Sequence, residues 1–104
     1  MRIAEFQRRI EEAYGAKDSE RGVAGTFVWF VEEVGELARA VKGSDRQNLS
    51  EEFADVFAWL ATLASLCGVE LEDAISKYAA GCPKCERTPC SCTESNRFVD
   101  APSP

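Results

Sequence analysis

The 104-residue sequence contains no histidine. This absence excludes histidine metal sites, a Ser-His-Asp triad and an imidazole general base. The longest apolar run, residues 53–67, is too short to cross a bilayer and contains Asp55. No segment alternates with period two over a useful length, so we predict no strands and expect an all-α protein. Residues 1–5 lead directly into a charged amphipathic pattern instead of a signal peptide, and we therefore expect a cytoplasmic protein with no membrane partner.

The net charge of −6 is concentrated in residues 1–79, where 15 acidic side chains accompany 9 basic ones. Such an acidic body argues against a nucleic acid partner, because binding a phosphate backbone requires a basic surface. A phosphorylated small molecule remains compatible with this charge when divalent cations lie between its phosphates and the carboxylates.

Apolar spacing and glycine stop signals predict four helices, at about residues 2–14, 22–42, 48–67 and 71–78. Gly15 is expected to end the first helix and Gly68 the third. Asn48 and Glu51 have the spacing of a capping box at the start of the third helix. Because the link between the second and third helices is short, we predict that they are antiparallel neighbours in an antiparallel helical bundle of about four helices.

The composition also predicts the domain organisation. Residues 1–80 form the helical catalytic domain, residues 81–93 a Cys-rich appendage, and residues 94–104 a disordered tail. The second and third helices carry too much apolar surface for one thin domain. We therefore predict a homodimer or a homotetramer built as a dimer of dimers.

Two pairs of carboxylates occupy equivalent stripes on the second and third helices. Glu33 and Glu36 form one pair, and Glu52 and Asp55 form the other; each pair is bracketed by apolar side chains. One such pair is more often solvated surface, but two pairs on adjacent antiparallel helices favour a site. Converging carboxylates repel one another unless they take up protons or bind hard cations. Oxygen ligands alone favour Mg²⁺ or Mn²⁺ over zinc or copper.

The sequence around these carboxylates resembles the signature of a known protein family. The segment 29–37, Trp-Phe-Val-Glu-Glu-Val-Gly-Glu-Leu, and the segment 52–56, Glu-Phe-Ala-Asp-Val, leave 15 intervening residues between Glu36 and Glu52. Together they resemble the ExxE…ExxD signature of the MazG-like all-α nucleoside triphosphate pyrophosphatases, and the resemblance covers about residues 1–80. It implies a hydrolase that cleaves a (d)NTP to the monophosphate and pyrophosphate, with nucleotide-pool house-cleaning as a candidate role. It also implies Mg²⁺ ligation by Glu33, Glu36, Glu52 and Asp55, with Glu33 as the candidate for orienting the attacking water.

Three further residues are candidates for substrate binding. Lys42 and Lys77 are candidates for contacting the phosphates, although a lysine in a last helical turn commonly only complements the helix dipole. Trp29 shares a stripe with Glu33 and Glu36 and is a candidate for stacking on a base, although large aromatic residues in helices are usually core.

Four cysteines follow the helical region. Cys82, Cys85, Cys90 and Cys92 have the spacing C-x₂-C-x₄-C-x-C. In a cytosolic chain this clustering favours a Cys₄ zinc site, and a redox pair or partial disulfides are the alternative.

The main alternative to an enzyme is a nucleotide-binding regulatory or interaction module with little turnover, docking partners through its Cys-rich tail. A purely structural helical oligomer would leave the bracketed carboxylates unexplained. A ferritin-like di-iron protein is disfavoured, because its Glu-x-x-His ligand pairs require histidine.

Overall fold

The computed structural model describes residues 1–93. Three α-helices follow one another: α1 (Ile3–Lys42), α2 (Arg46–Leu66) and α3 (Leu71–Ala74), which continues into a 3₁₀ helix (Ile75–Tyr78). Residues 1–93 contain no strand. The all-α class is therefore confirmed, whereas the four-helix bundle and its assembly stay predictions. The predicted disordered tail, residues 94–104, lies outside the described residues.

Helix α1 is interrupted at Gly22 and not at Gly15. Gly22 has φ 81° and ψ 176°, and α1 continues on both sides of it. This backbone conformation is open essentially to glycine alone. Gly15, which was predicted to end the helix, lies inside it. A single helical glycine costs only about 1 kcal/mol, and the contacts of Glu11 with Ser65 and of Asp18 with Thr62 hold α1 against α2 on either side.

Helix α2 begins earlier than predicted and ends close to the predicted position. Asp45 is its N-cap, and the carboxylate accepts a hydrogen bond from the Asn48 backbone N–H. The predicted capping box at Asn48 is wrong. Asp45 is the N-cap, and Asn48 lies inside the first turn, where its free backbone N–H is the donor that Asp45 satisfies. At the other end Gly68 has φ 72°, and the Val69 N–H donates to the Ala64 carbonyl. This is the Schellman arrangement, which requires a left-handed residue after the helix.

The pairing of α1 with α2 forms the body of the protein. A link of three residues, 43–45, joins the two helices, which is short enough to make them antiparallel. The Phe6 and Phe57 rings stack with their centroids 5.0 Å apart. Among residues 1–93, the buried residues are small or polar: Gln7, Asp18, Thr26, Ala40, Ala61, Thr62 and Ala64. A thin two-helix layer encloses little volume, so only small side chains and hydrogen-bonded polar groups lie fully inside it.

Gln7 connects α1 to the chain that follows α2. Its side chain is 1% exposed. The amide nitrogen donates to the Ser65 hydroxyl at 3.0 Å and to the Val69 carbonyl at 2.9 Å, while the amide oxygen accepts from the Leu71 N–H at 2.9 Å. Three hydrogen bonds thus satisfy a polar group that would be costly to bury unpaired.

A large part of the apolar surface of α1 and α2 is exposed in the single chain. On α1, Phe27 and Val31 are each 52% exposed, and on α2 Phe53 is 56% exposed. The sequence predicted more apolar surface on these helices than one thin domain can cover, and within residues 1–72 it is α1 that packs against α2. In an isolated monomer, these exposed apolar faces would favour association with other chains.

The chain divides into two compact units, of which the first is Met1–Glu72 and the second begins at Asp73. The predicted division near residue 80 was drawn from the change in composition and stays a prediction. Among residues 1–93, no single helix has the length and apolar character needed to cross a membrane; two consecutive helices pass that test only when they are counted together.

Candidate functional site

Three of the four predicted carboxylates meet between α1 and α2. One oxygen each from Glu33, Glu36 and Glu52 lies within 4.8 Å of the other two. Glu33 and Glu36 are one turn apart near the end of α1, and Glu52 lies in the second turn of α2. The short link places these two turns beside each other, since α-helices rise only about 1.5 Å per residue. We call Glu33, Glu36 and Glu52 the carboxylate cluster.

The carboxylate cluster contains oxygens with no protein partner. Glu33 Oε2 and Glu52 Oε2 are both buried and accept no hydrogen bond. The exposed Arg39 donates to Glu36 Oε1 at 3.5 Å, which is a long contact. A buried carboxylate oxygen without a donor carries a desolvation cost that a cation would remove. The donor set consists of oxygen atoms alone, which fits a hard divalent cation.

Burial and neighbouring negative charges raise the pKa of two carboxylates of the cluster, Glu33 and Glu52. Desolvation raises the pKa of Glu33 above its ordinary value, and the charges of Glu36, Asp55 and Glu52 raise it further. Desolvation is also the largest cause of the raised pKa of Glu52. The charges of Glu36 and Asp55 raise this pKa further, whereas the positive charge of Arg39 lowers it. The folded chain therefore concentrates negative charge where water is partly excluded. Such a combination is typical of functional sites and of cation sites in particular.

Asp55 lies outside the carboxylate cluster but next to a cavity. Its charge raises the pKa of both Glu33 and Glu52, although it is not part of the group within 4.8 Å. Asp55 instead lines a cavity of about 350 Å³ together with Lys17, Arg21 and Trp59. Of the predicted carboxylates, Asp55 is thus the one that connects the cluster to an open space.

The wall of this cavity is held by a buried ion pair. Asp18 is 5% exposed, and the Arg21 guanidinium donates to Asp18 Oδ1 at 3.0 Å. Arg21 also donates to the Thr26 hydroxyl at 3.1 Å, and Asp18 Oδ2 accepts from the Thr62 hydroxyl at 3.2 Å. Arg21 therefore has partners on both sides of the break at Gly22, and Asp18 has partners on both α1 and α2. The ion pair fixes the position of the Arg21 side chain at the cavity.

Aromatic rings continue this wall toward the carboxylates. The Arg21 guanidinium carbon lies 4.8 Å from the centroid of the Trp59 ring. Trp59 stacks in turn on Trp29, with centroids 6.1 Å apart and planes 15° from parallel. Trp29, the predicted base-stacking residue, is 50% exposed. The arrangement thus offers a flat aromatic surface beside the cavity, which is a suitable shape for a planar ligand.

Sequence reasoning missed Lys17, Asp18 and Arg21. The spacing of Asp18 and Arg21, three residues apart on a helix, is that of an ordinary surface ion pair. The only available signal was Gly22 directly after Arg21, which marks a change of backbone direction at a charged segment. Burial of the pair depends on α2 and therefore could not be deduced from local spacing.

The two predicted phosphate-binding lysines have different positions. Lys42 is the last residue of α1 and is exposed. Lys77 belongs to the second compact unit, where its ammonium lies 5.3 Å from the centroid of the Tyr78 ring. Their contact with a substrate stays a prediction.

The four cysteines of the second unit form a separate group. The sulfur atoms of Cys82, Cys85, Cys90 and Cys92 all lie within 4.8 Å of one another. Hydrogen bonds from Ser91 lower the pKa of Cys85 to about 5. The neighbouring Cys90 raises the pKa of Cys92 to about 12. Within this group, the Cys85 thiol therefore gives up its proton far more readily than the Cys92 thiol.

Comparison with known proteins identifies the family. The family model for the MazG nucleotide pyrophosphohydrolase domain matches residues 22–86. The chain belongs to the MazG family. The matched segment includes Glu33, Glu36, Glu52 and Asp55, so the resemblance drawn from these residues is confirmed at the level of the family. Membership supports nucleotide pyrophosphohydrolase activity in general, and divalent cations are typical of MazG enzymes.

One curated relative extends the comparison. The uncharacterized protein YvdC of Bacillus subtilis (strain 168) is 34% identical over 95 residues, which cover 75% of this chain and 90% of the relative. This MazG-family chain is thus similar to a protein of nearly its own length.

Proposed function

We propose that this MazG-family protein is a Mg²⁺-dependent nucleotide pyrophosphohydrolase that converts a (d)NTP into the (d)NMP and pyrophosphate. The carboxylate cluster carries the proposal: carboxylates from two helices converge with two buried oxygens that have no donor. A purely structural cluster would be expected to pair these oxygens with arginine, lysine or backbone N–H groups. Nucleotide-pool house-cleaning is the role that we propose for this reaction.

Glu33, Glu36, Glu52 and Asp55 would hold Mg²⁺, or Mn²⁺ in its place. Their oxygen atoms fit these hard cations, and the chain has no histidine that would favour a softer metal. A bound divalent cation supplies neutralisation of the triphosphate charge and polarisation of the α-phosphate. The raised pKa of Glu33 and of Glu52 would return toward lower values in its presence, because the cation favours the ionised carboxylate.

The protein residues would then orient the attacking water. Glu33 is our candidate, since its buried Oε2 has no other partner and can accept a hydrogen bond from water. The water oxygen forms a bond to the α-phosphorus, the bond from this phosphorus to the α–β bridging oxygen breaks, and pyrophosphate leaves with that oxygen. The proton released by the water passes to Glu33 and then to solvent.

The substrate would lie across the cavity next to Asp55. Trp29 and Trp59 offer a ring surface for the base, and Lys17 places a positive charge at the cavity wall. Arg21 already has Asp18 and Thr26 as partners, so we assign it the support of the wall instead of a phosphate. Lys42 and Lys77 remain the candidates from the sequence for further phosphate contacts.

We also propose that the protein works as a homodimer or homotetramer. The exposed apolar faces of α1 and α2, including Phe27, Val31 and Phe53, support this proposal. Light scattering coupled to size-exclusion chromatography at micromolar concentration measures the mass directly. A monomeric mass would contradict the proposal. Val31→Lys is expected to lower the mass of the assembly, because it would bury an unpaired charge in the interface.

The test of the reaction is release of pyrophosphate and monophosphate from a panel of NTPs and dNTPs with Mg²⁺. Glu36→Gln removes one charge of the carboxylate cluster and keeps its size, and we expect no product from it. Glu12→Gln is the matched control, an exposed glutamate on α1 outside the cluster, and it should react like the wild type. No product from any nucleotide, with a folded wild type that binds Mg²⁺ and nucleotide, would favour the regulatory or interaction module instead.

The reaction requires no thiol chemistry. The four cysteines of the second unit are therefore assigned no part in it.

A further inference from the structure

We propose that Cys82, Cys85, Cys90 and Cys92 bind one Zn²⁺ as a tetrahedral thiolate site that stabilises the fold of the second unit. We refer to these residues as the cysteine knuckle. The proposal goes beyond nucleotide hydrolysis and does not depend on it. It rests on the positions of the sulfur atoms, on the backbone that surrounds them and on the exposure of the unit.

The sulfur positions match the size of a zinc tetrahedron. A Zn–S bond of about 2.3 Å places two sulfurs of a regular tetrahedron about 3.8 Å apart. Cys82 Sγ lies 3.9 Å from Cys92 Sγ, and Cys85 Sγ lies 3.9 Å from Cys90 Sγ. The remaining pairs are also within 4.8 Å. Two opposite edges thus have the expected length at the same time.

The same distances are unsuitable for disulfides. A disulfide bond holds its sulfur atoms about 2.05 Å apart. All four cysteines are free, and in both close pairs the sulfurs are separated by nearly twice that distance. We call Cys82 with Cys85 the first half-site and Cys90 with Cys92 the second. Each close pair combines one sulfur from each half-site, as ligation of a shared central ion requires. It also differs from a two-thiol redox motif, which would use Cys82 and Cys85 alone.

The backbone of the knuckle donates hydrogen bonds to sulfur. The Ser91 N–H donates to Cys85 Sγ at 3.4 Å, and the Cys92 N–H donates to Cys90 Sγ at 3.3 Å. Such donors stabilise the anionic thiolate form that zinc requires, and they fix the direction of the ligands. The first and second half-sites are therefore both held by their surroundings.

The loop that carries the first half-site is closed on itself. The Cys82 N–H donates to the Arg87 carbonyl at 3.0 Å, and the Glu86 N–H donates to the Cys82 carbonyl at 2.6 Å. Gly81 has φ 104°, and a Cβ there would lie 2.5 Å from the Thr88 hydroxyl oxygen. Glycine is thus required where the chain enters the knuckle. The backbone is shaped around the sulfur atoms and not around an apolar core.

Between residues 73 and 93, the second unit buries little apolar surface that could stabilise it. No residue between 73 and 93 is buried, and the large apolar side chains Ile75 and Tyr78 are 44% and 60% exposed. A segment with so little buried apolar surface cannot offset its conformational entropy, and small domains of this kind commonly depend on a metal. Binding of the ion would then supply the folding free energy of the unit.

The experiment uses the full chain purified under reducing conditions without added metal or chelator. Elemental analysis is expected to find one zinc per chain in the wild type and in Cys67→Ser, the matched control, whose exposed thiol lies outside the knuckle. Cys85→Ser is expected to contain little or no zinc. Its circular dichroism should retain most of the helical signal, since α1 and α2 belong to the first unit. Glu36→Gln is expected to keep its zinc, which separates this result from the fate of the nucleotide reaction.

A second measurement does not depend on variants. A thiol reagent should find one reactive cysteine in the native wild type and five after a strong chelator is added. Replacement of zinc by Co²⁺ should produce sulfur-to-metal charge-transfer bands and the intense visible bands of a tetrahedral site. Five reactive thiols without chelator, a mass lower by four hydrogens, or iron in place of zinc would each overturn the proposal.

Discussion

Neutralising Glu33 by the substitution Glu33→Gln should make the metal-free protein more stable while it removes the response to Mg²⁺. One oxygen of Glu33 lies within 4.8 Å of one oxygen of Glu36. Two unit charges at this separation repel by about 1 kcal/mol at a dielectric constant of about 80 and by about 3 kcal/mol at about 20. The glutamine amide would replace this repulsion with a donor to the remaining carboxylates. We expect the melting temperature without metal to rise by about 4–8 °C for each kcal/mol relieved.

The dependence on pH follows from the same repulsion. Folding raises the pKa of Glu33 and of Glu52, so the folded chain holds these protons more tightly than the unfolded chain. The free energy of unfolding of the metal-free wild type therefore falls as the pH rises from the ordinary glutamate value to the raised one, and is level above it. Glu33→Gln should show a smaller fall over this range.

Thermal unfolding followed by circular dichroism, with chelator and with Mg²⁺, measures both effects. Mg²⁺ at 100 times its dissociation constant should stabilise the wild type by about 2.7 kcal/mol, and Glu33→Gln by much less. Glu12→Gln should behave as the wild type in both conditions. A Glu33→Gln protein that melts at or below the wild-type temperature without metal, and keeps the full Mg²⁺ shift, would refute the assignment of the carboxylate cluster as a cation site.

Two further predictions concern the break in α1 and the cavity wall. Gly22→Ala should destabilise the protein by about 1–3 kcal/mol because Gly22 has a positive φ. Gly15→Ala, at an open helical position, should stabilise the protein by about 0.5–1 kcal/mol. Equal effects of the two substitutions in urea unfolding would contradict this interpretation. Arg21→Ala should cost about 2–4 kcal/mol, because it leaves the buried Asp18 charge without its cation. Arg9→Ala, which removes an exposed ion pair, should lower the free energy of unfolding by less than about 1 kcal/mol in the same titrations. A similar loss of stability from Arg21→Ala and Arg9→Ala would contradict the role of Arg21 in supporting the cavity wall.

The error at the predicted helix end, Gly15, has a tertiary cause. Gly15 and Gly22 are both glycines near charged residues, and nothing local distinguishes the one that remains helical from the one that breaks the helix. The distinction comes from α2, which binds Glu11 and Asp18 on either side of Gly15. The N-cap was misplaced for a different reason. Asp45 and Asn48 are both good capping residues, and the competition between them was decided by the geometry of the turn.

The sequence by itself determined the family, the helical class and the meeting of Glu33 and Glu36 with Glu52. A short link makes two helices antiparallel, and the rise per residue then places Glu33, Glu36 and Glu52 at one level, so local rules were sufficient. The close spacing of the four cysteines likewise brought them together without help from distant parts of the chain.

Only the tertiary structure decided which groups are buried and which remain open. Asp18 and Arg21 became the wall of a cavity because α2 covers them, and Asp55 lines this cavity without joining the oxygens that meet in the carboxylate cluster. Part of the apolar surface of α2 was left exposed, because within residues 1–72 it is α1 alone among the helices that packs against it. Burial is a property of contacts between elements distant in sequence, and no periodicity along one helix contains that information.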